Sequence, residues 1–155
     1  MSERVTLDCL EEQTFRDEVA RLGKLFHEES GRPGVFNAEY VLRVIKGLLL
    51  SGYGAMFVIR NDEGTLLGTV CGVLAPDIFT GDALVSELFW FVDPAHRGSA
   101  GPRLFRALVE WKESLNVRCM MMAHLHFGQS DDSGIEAFYE RHGFKKLETS
   151  YVRDS

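Results

Sequence analysis

Ten consecutive residues constrain this chain more than any others. The run Ala83-Leu84-Val85-Ser86-Glu87-Leu88-Phe89-Trp90-Phe91-Val92 carries one charge, Glu87, among side chains that are otherwise almost all apolar. It lacks the in-out alternation of a half-exposed strand and reads as a strand covered on both faces. Such a strand needs helices above and below it, which points to a layered α/β domain. It is also shorter than the ~18 apolar residues of a membrane span, and no other stretch reaches that length.

The flanking sequence supplies those layers. Val5 to Cys9 is apolar enough for an opening strand. Phe15, Val19, Leu22 and Phe26 recur at helical spacing over 11–26, and Ser30-Gly31-Arg32-Pro33-Gly34 breaks the pattern. Asn37 caps a second predicted helix with Val41, Leu42, Ile45, Leu48 and Leu49 on one face, ended by Gly52 and Gly54. Residues 55–60 and 65–74 flank Asn61-Asp62-Glu63-Gly64 as a hairpin. Beyond Val92 come a glycine-containing turn, then a helix with Leu104, Phe105, Leu108, Val109 and Trp111. A strand is expected over 118–127, a short helix from Ser133 to the stop at Gly143, and a last strand over 144–152. The expected order is β-α-α-β-β-β-α-β-α-β, one mixed α/β domain over 1–155.

The balance of charge narrows function. The net charge is −6 in 155 residues, which argues against a nucleic-acid partner, since such proteins present a basic face. Cys9, Cys71 and Cys119 lie in apolar runs without metal-like spacing, and they read as buried reduced thiols. With no apolar signal core after Met1, the expected location is cytoplasmic, with no membrane association. His124 and His126 share a strand face near Asp131 and Asp132. A metal site is the minor reading there, alternation at a strand end the major one, and no metal is expected.

The turn after the apolar strand carries the chemistry. A strand that feeds small residues and then a helix start can cradle phosphate with unpaired N–H groups and the positive end of the helix dipole. Gly98, Ser99, Ala100 and Gly101 are small, and Arg97 and Arg103 bracket them with charge suited to a pyrophosphate or 3′-phosphate. Pro102 gives no N–H but suits a first helical turn. No Gly-Lys-Ser/Thr follows, so the turn is not a P-loop, and it lacks the dinucleotide-binding spacing. Taken alone, a tight connection without ligand fits it equally well.

Val92-Asp93-Pro94-Ala95-His96-Arg97-Gly98 resembles the approach to the acyl-CoA loop of the GNAT superfamily of N-acetyltransferases, which reads Q/R-x-x-G-x-G/A. With Arg97 first, Ala100 and Pro102 take the small-residue positions. With His96 first, Ser99 and Gly101 take them. Tyr139-x-x-x-Gly143-Phe144 is similar to the ending of the same family. The resemblance implies central strands splayed at a CoA site, with acetyl-CoA as co-substrate. It also implies backbone donors near Phe91 and Val92, contacts from Arg97, Gly98, Ser99, Ala100, Gly101 and Arg103, and an amine acceptor. That acceptor is a small molecule or a protein amine, shaped by the first two helices and their connection. An acceptor side completed by a second copy, a homodimer, is a further expectation.

N-acyl transfer needs a base, a donor to the thioester oxygen and an acid for the departing thiolate. Glu87 is the candidate base, since it is the one acid in an apolar strand and burial would raise its pKa. A surface position or a structural pair with an arginine is the plainer alternative. The resemblance makes Tyr139 the candidate acid, whereas its spacing with Ile135, Phe138 and His142 equally fits a core position. Three functions follow from this reading: an acyl-CoA N-acyltransferase, a CoA-binding sensor or interaction module without chemistry, and a different nucleotide-phosphate binder.

Overall fold

A computed structural model describes residues 1–125 and 133–154. The chain forms β1 (Glu3–Arg4), α1 (Gln13–Ser30), α2 (Ala38–Ser51), β2 (Gly54–Arg60), β3 (Leu66–Pro76), β4 (Ala83–Val92), α3 (Ala100–Ser114), β5 (Cys119–Met121) and α4 (Ser133–Arg141). The five strands make one mixed sheet in the order β1-β2-β3-β4-β5, antiparallel throughout except for the parallel pair β4 and β5. Helices cover both faces, as the apolar run 83–92 requires.

One core lies under α1 and α2, where Phe15, Val19, Leu22 and Ile45 meet Met56, Cys71 and Phe91. The other lies under α3, where Leu104, Leu108 and Trp111 meet Val70, Val85 and Val92. Leu104 and Leu108 are fully buried, and burial of each contributes about 2 kcal/mol. Asn37 caps α2 as expected: its side-chain oxygen accepts from the Tyr40 N–H, and Gly52 ends the helix at φ 76°.

Strand β4 is not a plain strand. Glu87 pairs with Gly72 and Phe89 with Cys71, so Leu88 is an extra residue, a bulge. The bulge exchanges faces. Val85 before it, and Trp90 and Val92 after it, face the α3 core, whereas Phe89 and Phe91 turn to the α1–α2 core. Opposite Glu87, Gly72 leaves room for α3, because a Cβ there would lie 2.7 Å from Leu108 Cδ1.

The expected elements need four corrections. The opening strand is Glu3–Arg4 rather than 5–9; Val5 still donates to the Met56 carbonyl, and Cys9–Glu11 is a 3-10 turn. The strand predicted over 118–127 pairs only through Cys119–Met121, and residues 126 and 127 lie outside the described ones. Among the described residues no strand forms over 144–152, where Leu147, Tyr151 and Val152 stand exposed. Of the cysteines, only Cys71 is buried; Cys9 is half-buried and Cys119 exposed.

Candidate active site

The β4–β5 ladder runs Leu84↔Cys119, Val85↔Met120 and Ser86↔Met121, then stops. From Glu87 onward the two strands part. This is the expected splay, and the bulge at Leu88 starts where the ladder ends. Both candidate catalytic residues sit at the fork. The Ala123 N–H donates to Glu87 Oε2 at 2.9 Å, and the Tyr139 hydroxyl donates to the Ala123 carbonyl at 2.7 Å. Two side chains from distant parts of the sequence thus hold the two backbone groups of one residue beyond the last sheet rung.

The surroundings tune both groups. Burial pushes the Glu87 carboxyl up to about 7, against the Ala123 N–H and the charge of Arg32, which lower it. Burial, and then the Glu87 charge, pushes the Tyr139 phenol well above its ordinary value. At neutral pH the first group divides between acid and base forms and the second keeps its proton. The Tyr139 ring also packs against Phe144 and Trp90, at centroid distances of 5.4 and 6.2 Å. Its core position and its polar contact are therefore not alternatives.

The turn is built from α1 and from its own backbone. Arg21 donates to Asp93 at 2.8 Å, to Glu18 and to the Leu66 carbonyl, which fixes the end of β4 to α1. Burial alone would raise the Asp93 carboxyl; Arg21 and the Ala95 N–H outweigh it and hold the group below its usual range. Pro94–His96 form a 3-10 turn. Gly98 then adopts φ 150°, a conformation that side chains disfavour. Among the described residues, the N–H groups of Gly98, Ser99, Ala100 and Gly101 donate to no protein acceptor; the first bond into α3 is Arg103 N–H to the Ser99 carbonyl. Four consecutive free donors at the N-terminus of a fifteen-residue helix fit a phosphate group. Pro102 adds no donor.

Other expected site residues are placed differently. Phe91 and Val92 are buried in opposite cores, which leaves only their backbone for a ligand. Arg97 donates to Glu29 at 2.9 Å and lies 6.0 Å from the Phe91 ring centroid. Arg103 is half-buried beside the turn. Trp90, which in the sequence reads as mainly core together with Phe89 and Phe91, borders the fork. It packs on Phe105, Phe138 and Tyr139, and among the described residues its buried indole N–H has no hydrogen-bond partner.

A cavity of about 280 Å³ opens on the other side of β4, between α1 and α2, with Leu88 and Phe89 in its wall. Among the described residues, no group of three or more His, Cys, Asp or Glu side chains is placed to hold a metal, and no helix is long and apolar enough to cross a membrane. His126, Asp131 and Asp132 of the histidine-aspartate cluster lie outside the described residues; His124 stands 3.9 Å from the Glu136 carboxylate.

Solved structures share this fold. An acetyltransferase of Trypanosoma brucei aligns over 100% of both chains at 20% identity and a TM-score of 0.66. A Clostridium acetobutylicum protein described as a predicted acetyltransferase, solved with acetyl-CoA, aligns over 99% of this chain and 96% of its own at 12% identity and a TM-score of 0.70. An aminoglycoside acetyltransferase from an uncultured soil metagenomic sample, in complex with sisomicin, aligns over 100% and 95% at 14% identity and a TM-score of 0.69. No curated protein matches the chain in sequence. The model of the acetyltransferase (GNAT) family matches residues 19–144, from α1 through the turn, the fork and α4. The chain belongs to the GNAT acetyltransferase family.

Proposed function

We propose that this protein transfers an acetyl group from acetyl-CoA to an amine by direct attack, with Glu87 as base and Tyr139 as acid. The observation that carries the proposal is the fork: both side chains are fastened to Ala123 where β4 and β5 separate. In this reading the pyrophosphate lies on the N–H groups of Gly98 to Gly101. Arg97 and Arg103 flank it once Arg97 exchanges Glu29 for phosphate. The backbone of β4 freed by the splay, near Phe91 and Val92, pairs with the pantetheine arm and donates to the thioester oxygen.

Glu87 takes the proton of the incoming ammonium, directly or through water. The neutral nitrogen then forms a C–N bond at the thioester carbon as the C–S bond breaks. Tyr139 gives its proton to the leaving sulfur, and the resulting phenolate is reprotonated, through water, by the second proton that the nitrogen sheds as it becomes an amide. The Tyr139 hydroxyl must release the Ala123 carbonyl to do so. The acceptor enters from the α1–α2 side, where the cavity suits a small-molecule amine better than a protein chain.

Pro102 in the first turn of α3, with no N–H to offer, favours one second reading: a CoA-binding module of the same fold without chemistry. Calorimetric titration with acetyl-CoA, CoA and ATP, followed by thiol release over an amine panel, separates the two. The transferase reading expects acetyl-CoA to bind and Glu87→Gln to lower kcat/KM roughly 10²–10⁴-fold, with a smaller loss for Tyr139→Phe. Unchanged rates in both variants refute the residue assignment, and ATP binding without CoA binding refutes the whole reading. The exposed Leu147, Tyr151 and Val152 support the homodimer; light scattering at a single chain mass counts against it.

A further inference from the structure

The cavity beside the fork has a definite chemistry. Its walls are the rings of Phe26, Phe36 and Phe89 with the aliphatic groups of Val41 and Ile45. Its polar groups are few. The Thr69 hydroxyl is spent on the Phe57 carbonyl, and the His27 ring lies tilted against Phe36 with centroids 6.1 Å apart. Among the described residues, no carboxylate lines it. Arg32, on the loop between α1 and α2, borders the cavity, and its charge is felt by Glu87, which places it near the fork. Among the described residues, its guanidinium has no hydrogen-bond or ion-pair partner; only its backbone N–H bonds, to Ser30.

We infer that the acceptor is an α-amino acid with an aryl or branched alkyl side chain. This rests on the transferase reading above. The three parts of such a molecule match the three features present. The amino group lies at Glu87, the carboxylate pairs with the unpaired Arg32, and the side chain fills the apolar cavity. The volume suits one such side chain and leaves no room for a chain of residues. A polycationic amine meets the opposite environment: its extra ammonium groups would enter a space whose one full charge, among the described residues, is positive and whose walls cannot solvate them. Arg32 also disfavours the protonated form of a nearby amine, which helps Glu87 take the proton.

The test compares acetyl-CoA-dependent thiol release for phenylalanine and leucine with phenethylamine, which lacks the carboxylate, and with neamine and spermidine. The amino acids are expected to exceed phenethylamine in kcat/KM by roughly 10–100-fold, the worth of one charge-assisted pair, and to exceed the polycations by more. In Arg32→Gln the phenylalanine-to-phenethylamine ratio falls toward one. In Val41→Trp, which fills the cavity from α2, KM for phenylalanine rises at least tenfold more than KM for glycine. Circular dichroism of both variants shows that they fold. Acetyl-CoA binding without turnover of the hydrophobic amino acids, or an unchanged ratio in Arg32→Gln, overturns the acceptor assignment and leaves acetyl transfer standing. No acetyl-CoA binding overturns the transferase reading, and this inference with it.

Discussion

As the proposed base, Glu87 depends on where its charge would sit. A carboxyl that titrates near 7 rather than 4.5 is a base above neutrality and an acid below it. If it takes the ammonium proton, kcat/KM rises with pH through about 7 and levels off above. Below 7 the slope approaches tenfold per pH step. The Tyr139 phenol, raised above its ordinary value, keeps its proton across that range and adds no falling limb near neutrality. In Glu87→Gln the limb near 7 should vanish. A pH–rate profile that keeps this limb in the variant would assign it to the acceptor amine instead. Both side chains were legible in the sequence, Glu87 as a lone acid in an apolar run and Tyr139 through its Tyr-x-x-x-Gly-Phe setting. Ala123 was not legible, because its part is played by its N–H and carbonyl, which every residue has. Arg32 was visible as a loop residue, but only the cavity beside it gives it a use.

At the scale of elements, β4 shows what periodicity can and cannot reveal. Its boundaries, 83–92, follow from composition alone. Its bulge does not, because a run that is apolar on both faces looks the same before and after a one-residue slip. The slip matters, since it turns Phe89 and Phe91 toward the α1–α2 side and leaves Glu87 at the fork. Gly72 is the partner that permits this geometry. Gly72→Ala places a Cβ 2.7 Å from Leu108 Cδ1, so that side chain must shift within a full core. The expected destabilisation is about 1–3 kcal/mol, read as a lower denaturant midpoint with the slope unchanged. An unchanged midpoint would mean that α3 yields freely there. The last strand was over-read for the converse reason. Phe144 is held by Phe105 and Tyr139, but among the described residues the apolar ones after it find no face to cover. Alternation alone does not make a strand without a partner edge.

For the whole molecule, the layered fold was legible because one strand buried on both faces demands it, whereas the splay came only through family resemblance. The buried Glu87 carboxyl has a cost that the entire fold bears. Between pH 4.5 and 7 the unfolded chain ionises Glu87 freely in water, whereas the folded chain keeps it protonated. The folded state is therefore favoured by Glu87 protonation below about pH 4.5 and loses that contribution as pH rises through 7. Above 7 the loss is complete, at about 3 kcal/mol, a large share of the ~5–15 kcal/mol typical of a domain. Glu87→Gln removes the titration, and its amide oxygen can still accept from the Ala123 N–H. Urea unfolding at pH 5 and pH 8 should therefore show the variant gaining stability over the parent at pH 8 by a few kcal/mol more than at pH 5, while acetyl transfer is lost. Parallel pH dependence in the two proteins would mean that Glu87 is solvated at the fork, and the base assignment would lose its physical ground.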